Sequence, residues 1–267
     1  MAITCPVGFD VDRLRAQVLG TYDQVARDPG GEFHFHRGAR YAAEYLRYDP
    51  AELALLPEEC TARFAGVGNP LRIGPLHGGE TVLDHACGSG MDVLLAARRV
   101  GPEGHVIGVD MTPAMREAAA EAAERAGLGS VVEVRAGFFE ELPVDDESVD
   151  VVLSNGVVNL SPDKSQVFRE MHRVLRPGGR LYLADVVVQR ELKYEVRNNP
   201  DLWAACIGGA LPEPELTKLA LATGFVDPRI VERFDCFRGT TAEAKVSRDL
   251  RVHAVNSQAN KPFTIKE

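Results

Sequence analysis

The sequence predicts an α/β fold, a mostly parallel seven-stranded sheet covered by helices on both faces and preceded by a helical extension. Three observations predict it. From Glu80 onward, short apolar runs alternate with helical stretches, the pattern of parallel strands joined by crossover helices. The first run, Thr81-Val82-Leu83, ends in Asp84 and opens into a loop of small residues, Ala86-Cys87-Gly88-Ser89-Gly90, ahead of a helix starting near Asp92. Glycines at such a turn let the backbone approach a ligand at the positive end of the helix. The second run closes on an acid, Asp110, 20 positions after Gly90, where a carboxylate can accept hydrogen bonds from both hydroxyls of a ribose.

In chain order, Asp10 to Ala26 carries Val11, Leu14, Val18, Tyr22 and Val25 at helical spacing. Pro29-Gly30-Gly31 ends that helix, and Phe33-His34-Phe35-His36 then alternates strictly. The alternation could align His34 and His36 as metal ligands, but no third ligand is near, so an aromatic loop or lid over a site is expected and no metal. Ala39 to Arg47 reads as a second helix and Pro50 to Phe64 as a third, capped by Asp49. Residues 1–76 are therefore the helical lid extension and 77–267 the ligand-binding domain. In that domain the strands expected after Thr81–Leu83 are His105–Val109, Val131–Arg135, Val149–Leu153, Arg180–Val187, Ile230–Phe237 and Leu250–Ala259. The helix Pro113 to Ala126 has Thr112 as its expected cap. The helix Lys164 to Leu175 runs into a turn at Arg176-Pro177-Gly178-Gly179, and Pro214 to Thr223 stops at Gly224. Residues 188–213 interrupt the rhythm and carry the only tryptophan, Trp203, as an insertion that contacts substrate would.

Composition excludes some classes of function. A net charge of -9, with no run of Lys and Arg, argues against a nucleic-acid partner. No stretch is long and apolar enough to span a membrane, and the first residues lack the apolar core of a signal peptide, so a cytoplasmic protein is expected. The five cysteines are scattered without a CxxC pair and are expected as free thiols. No feature specifies an oligomeric state.

The loop also discriminates between nucleotides. A dinucleotide fingerprint places a third glycine three positions after the second, to let helix and sheet pack closely, and here that position is Val93. A loop without a pyrophosphate site, together with an acid for the ribose, points to S-adenosylmethionine.

The segments VLDHACGSG, VIGVD and RVLRPGGRLYLAD resemble the class I, Rossmann-like S-adenosylmethionine-dependent methyltransferases over about Leu56 to Pro262. Within that class GSGMD (Gly88 to Asp92), GPEGHVIGVDMTPAM (Gly101 to Met115), SNGVVNLSPDK (Ser154 to Lys164) and CIGGAL (Cys206 to Leu211) are most similar to the arsenite methyltransferase group. The resemblance implies that Asp84, Ala86, Gly88 and Gly90 border the methionine part of the cofactor, and that Asp110 holds the ribose. It also implies Met111 against the adenine, Gly137 and Phe138 at the adenine edge, and Asn155 and Val157 beside the sulfonium.

For the acceptor, the resemblance implies trivalent arsenic held by cysteine thiolates, soft ligands for a soft atom. Cys206 matches one such cysteine and Cys236 a second. The chain departs from the family pattern at Val67, where a GCG-type motif has cysteine, and at Gly156, where many members have cysteine. It also has His85 and Ala86 in place of the usual leucine and glycine. Two thiols still suit a small acceptor such as methylarsenite; the alternatives are O-, N- or C-methylation of an organic metabolite, with His34, His36 and His85 as candidate bases, or cofactor binding without catalysis.

Overall fold

The computed structural model describes residues 3–241, 243 and 251–263. The extension holds α1 (Val11–Arg27), α2 (Gly38–Leu46), α3 (Pro50–Leu53) and α4 (Glu58–Ala62). Asp10 caps α1 by accepting from the Arg13 amide, and Asp49 caps α3 by accepting from the Ala51 amide. The single helix expected over Pro50 to Phe64 is in fact two, because Pro57 lacks the amide that would carry the turn onward and restarts the chain as the N-cap of α4.

The α/β domain follows as β1 (Thr81–His85), α5 (Met91–Val100), β2 (His105–Asp110), α6 (Pro113–Arg125), β3 (Val132–Ala136) and β4 (Val149–Asn155). It continues with α7 (Lys164–Val174), β5 (Leu175–Val188), α8 (Tyr194–Arg197), α9 (Pro200–Ala204) and β6 (Leu211–Pro212). The last elements are α10 (Glu213–Ala222), β7 (Val226–Phe234) and β8 (Val252–Asn260). Leu250, in the last expected strand, lies outside the described residues.

The sheet runs β3-β2-β1-β4-β5-β8-β7, parallel up to β5, with β8 antiparallel to both its neighbours. Two-residue β6 pairs with β5 off this path, so the sheet has eight strands, one more than the seven expected. Both faces are buried. Val82 and Val151 join one apolar cluster with α5 and the extension, whereas Leu83 and Val152 join the other with α7 and α10. That is why these strands read as unbroken apolar runs.

Two boundaries moved for physical reasons, and one expected cap makes no bond. The expected turn at Arg176 to Gly179 lies within β5, as a register shift against β4 between Val149 and Val151. β7 begins at Val226, ahead of Pro228, because an edge strand tolerates a residue without an amide hydrogen. Thr112 occupies the N-cap of α6, but its side chain makes no capping bond.

Between β5 and β6 the insertion folds back under Trp203, whose indole nitrogen donates to the Arg197 carbonyl at 2.8 Å. Gly209 packs flat against it. A Cβ there would collide with the Asn159 carbonyl oxygen and come within 2.8 Å of the Trp203 ring. Gly209→Ala is therefore expected to destabilise the fold by about 3 kcal/mol, lowering the melting midpoint by about 10 °C in a thermal unfolding scan. An unchanged midpoint would mean that the loop yields without cost. Among the described residues no helix is long and apolar enough to cross a membrane.

Candidate cofactor and acceptor site

The loop after β1 turns through left-handed conformations at Ala86 (φ 61°), Gly88 (φ 52°) and Gly90 (φ 88°). The Cys87 amide donates to the Val109 carbonyl at 2.8 Å and the Gly88 amide to Asp110 Oδ2 at 2.9 Å, so the loop is tied to the end of β2. A Cβ on Gly88 would meet nothing within 4 Å, leaving that side of the loop open to a ligand. At Gly90 a Cβ would press on Ala119 of α6 at 3.1 Å. Valine is tolerated at position 93 because the strand makes room for it. A Cβ on Gly108 of β2 would lie 3.2 Å from Val93 and 2.8 Å from the Cys87 sulfur.

A cleft open to solvent lies beside the loop, with about 820 Å³ of empty space counting its open mouth. Asp84, Ala86, Gly88, Asp110, Met111, Gly137, Asn155 and Val157 all line it. Gly90 and Phe138 do not line it. Phe138 is 47% exposed and lies under the Arg15 guanidinium, 5.3 Å from ring centroid to carbon. Phe139 turns inward instead, because the chain reverses here and carries alternate residues to opposite sides. Val18 and Tyr22 of α1, Arg63, Phe64 and Leu160 are also among its lining residues. The sequence reading missed these five; the apolar face of α1, already noted at Val18 and Tyr22, was the signal that could have pointed to two of them.

Three carboxylates share this wall. Burial raises Asp84, Asp92 and Asp110 above the ordinary carboxylate range, and at Asp84 the neighbouring charges of Asp92 and Asp110 add to it. Asp92 is opposed by two donors, Tyr48 Oη at 2.7 Å and Asn155 Nδ2 at 2.9 Å. The carboxamide oxygen of Asn155 accepts from the Val67 and Gly68 amides at 2.9 and 3.2 Å. Asn155 is thus committed on both ends, and it pins the extension to the sheet. Asp110 accepts the Gly88 and Thr112 amides, one on each oxygen, and keeps acceptor capacity towards the cleft.

Neither Cys206 nor Cys236 lines this cleft; both belong to the buried apolar cluster that also holds Tyr41. Both are buried, at 5% and 2% exposure. Burial, helped by the negative charge of Asp185, pushes the Cys206 thiol up to about 12; burial, then the charge of Cys206, pushes Cys236 well up. Tyr41 from α2 is within electrostatic reach of both sulfurs, while Tyr22 feels Cys206, Asp110 and Asp185. Tyr22 itself lines the cleft. Asp185 accepts from Asn159 Nδ2 at 2.7 Å, and burial raises it to about 6. Lys164, fully buried 4.3 Å from the Trp203 ring, is lowered by burial to about 7.

Val67 and Gly156 face each other, and a Cβ on Gly156 would lie 3.2 Å from Val67 Cγ1. The two departures therefore meet in one apolar contact.

None of the three histidines lines the cleft. Buried His85 contacts Ser154 Oγ and the Phe139 carbonyl at 3.3 Å each, and burial lowers it to about 4. His36 contacts the Arg238 carbonyl at 2.7 Å between Tyr41 and Tyr45, and His34 packs edge-on against Phe35. The aromatic segment braces α2, the helix of Tyr41. Among the described residues no cluster of three His, Cys, Asp or Glu side chains could hold a metal.

Comparison with known proteins gives the same fold and a narrower likeness. The arsenite methyltransferase of Halobacterium salinarum is 40% identical over 222 residues, 82% of this chain and 56% of that protein. The arsenite methyltransferase of Aquipseudomonas alcaligenes is 44% identical over 188 residues, 67% of this chain and 53% of that protein. The chain thus spans about half the length of these curated relatives. The crystal structure of CrArsM, an arsenic (III) S-adenosylmethionine methyltransferase from Chlamydomonas reinhardtii, superposes with a TM-score of 0.72 at 38% identity, covering 81% of this chain and 74% of that one. Residues 76–235, from the approach to β1 to the end of β7, match the family model described as a methyltransferase domain, and by that match the chain belongs to the methyltransferase domain family.

Proposed function

We propose that the chain is an S-adenosylmethionine-dependent methyltransferase whose acceptor is trivalent arsenic bearing one carbon, methylarsenite, held by Cys206 and Cys236. The observation that carries the acceptor is that both thiols are buried in one apolar cluster with Tyr41, close enough for the charge of one to raise the other. The likeness to arsenite methyltransferases supports it.

The cleft suits the donor. Gly88 leaves room for close approach, Asp110 has capacity for ribose hydroxyls, Met111 and Phe139 offer apolar faces to an adenine, and Asp84 is an acceptor for an ammonium group. The cofactor would supply a methyl group already activated by its sulfonium. The protein's part is then mostly positioning. Residues 1–76 serve as the lid, through Val18, Tyr22 and Phe64.

Neutral thiols are an advantage for this acceptor. When methylarsenite condenses with two thiols, each As–O bond is replaced by As–S and each thiol proton leaves with a hydroxide as water. No net charge enters the buried site, which avoids the cost of a buried ion. The arsenic keeps its lone pair, which would form the new As–CH3 bond as the sulfonium S–CH3 bond breaks, releasing neutral S-adenosylhomocysteine and moving the positive charge to arsenic. Val67 and Gly156 provide no third sulfur, which favours methylarsenite over arsenite. Free thiols of this kind persist in a reducing compartment, so we place the protein in the cytoplasm.

The apolar Val67–Gly156 contact equally suits the second reading, an organic acceptor with an apolar group. Labelled S-adenosylmethionine with methylarsenite or arsenite under reducing conditions separates the two. Methylated arsenic is expected, formed faster from methylarsenite. Tight cofactor binding with no arsenic product would overturn the arsenic reading and favour the organic one.

A further inference from the structure

Charge on the cleft wall is lopsided. Three carboxylates line it, but of the Lys, Arg and His side chains among the described residues only Arg63 does. Arg63 follows α4 as its C-cap. Its Nε donates to the Ala26 carbonyl at 2.6 Å and its Nη1 to the Glu59 carbonyl at 2.7 Å, so the guanidinium is pinned by backbone groups at the ends of α1 and α4. Its Nη2 has no hydrogen-bond partner, and no carboxylate lies within ion-pair distance, among the described residues. Most other arginines with mapped contacts on this acidic protein pair with Asp or Glu.

The position is tied to the glycine loop. Cys60 Sγ donates to the Ser89 carbonyl at 3.2 Å, and Ser89 Oγ donates back to the Cys60 carbonyl at 3.0 Å. Three residues later Arg63 lines the cleft, as do Phe64, Gly66 and Ser89 of that loop. An unpaired guanidinium fixed in orientation by two carbonyls is a ready partner for a carboxylate, which it can meet with two parallel N–H bonds.

We infer that Arg63 binds the carboxylate of the methionine part of S-adenosylmethionine, and that it is the residue by which this site selects a nucleoside carrying an amino acid over one without. The inference rests on the cofactor reading above. It completes the charge balance of the ligand's amino-acid end, whose ammonium faces Asp84 and whose carboxylate would otherwise meet three acids. The glycine loop alone offers neutral amides, so the charge recognition falls to α4, an element outside the sheet.

The test compares two ligands that share the adenosine and the sulfur and differ in the amino acid. Isothermal titration calorimetry with S-adenosylhomocysteine and with 5′-methylthioadenosine is run on the wild type, Arg63→Met and Arg63→Lys. Arg63→Met is expected to weaken S-adenosylhomocysteine on the order of 10- to 100-fold. Its affinity for 5′-methylthioadenosine should stay within about twofold, and Arg63→Lys should recover part of the loss, as a point charge without the fork. The truncated ligand also guards against a folding artefact, because a distorted cleft would lose both ligands together. Equal weakening of both ligands, or no weakening of either, overturns the role of Arg63. A wild type that binds neither ligand overturns the cofactor reading itself, and the inference with it.

Discussion

Asp110→Ala is expected to weaken binding of S-adenosylhomocysteine by about 100-fold, on the order of 3 kcal/mol, read by titration calorimetry. Two losses add here. The ligand loses its acceptor for the ribose hydroxyls, and the Gly88 amide loses the oxygen that holds the glycine loop at 2.9 Å. Because Asp110 is only 8% exposed, water replaces that acceptor poorly. Asp110→Asn retains one carbonyl oxygen and should fall between the two, since its amide can serve only one of the donors now shared by Gly88 and Thr112. Wild-type affinity in the alanine variant would remove Asp110 from the cofactor site.

Cys206→Ser separates acceptor from donor. Turnover of methylarsenite should drop at least about 100-fold, because one of two soft ligands becomes a hard oxygen, while S-adenosylhomocysteine binds as in the wild type. Cys236→Ser should behave alike, since a two-sulfur clasp fails when either half is lost. Both positions are buried and serine is close in volume, so folding is a small concern for these variants. Cys206 already occupies a left-handed backbone conformation (φ 61°), which serine accepts no less readily. Undiminished turnover in both variants would show the thiols to be packing groups and return the acceptor to the organic class.

These expectations draw on unequal amounts of sequence information. The βαβ pattern of Glu80 to Val187 was plain, because a strand buried on both faces must be apolar throughout, as Val82-Leu83 and Val151-Val152 are. The caps at Asp10 and Asp49 were equally local. Boundaries failed where a neighbour decided them. Pro57 split an apparently continuous helix, Pro228 was admitted to a strand because that strand lies at the sheet edge, and β6 forms only because β5 is there to pair with it. The resemblance named Phe138, but the reversal of the chain turns its neighbour Phe139 into the cleft and leaves Phe138 exposed.

By itself, the sequence determined the fold class, the glycine loop and the acid after β2. All of these lie within one strand–helix–strand unit, where spacing along the chain translates directly into spacing in space. Only the tertiary structure decided what surrounds that unit. Tyr22, Tyr41, Cys206 and Cys236 come from four separate segments, Val67 meets Gly156 across 89 positions, and Arg63 reaches the cleft through contacts to Ala26 and Glu59. Their convergence depends on how helices of the extension and the insertion pack on the finished sheet, and the energy of that packing is distributed over many buried side chains with no short motif to record it.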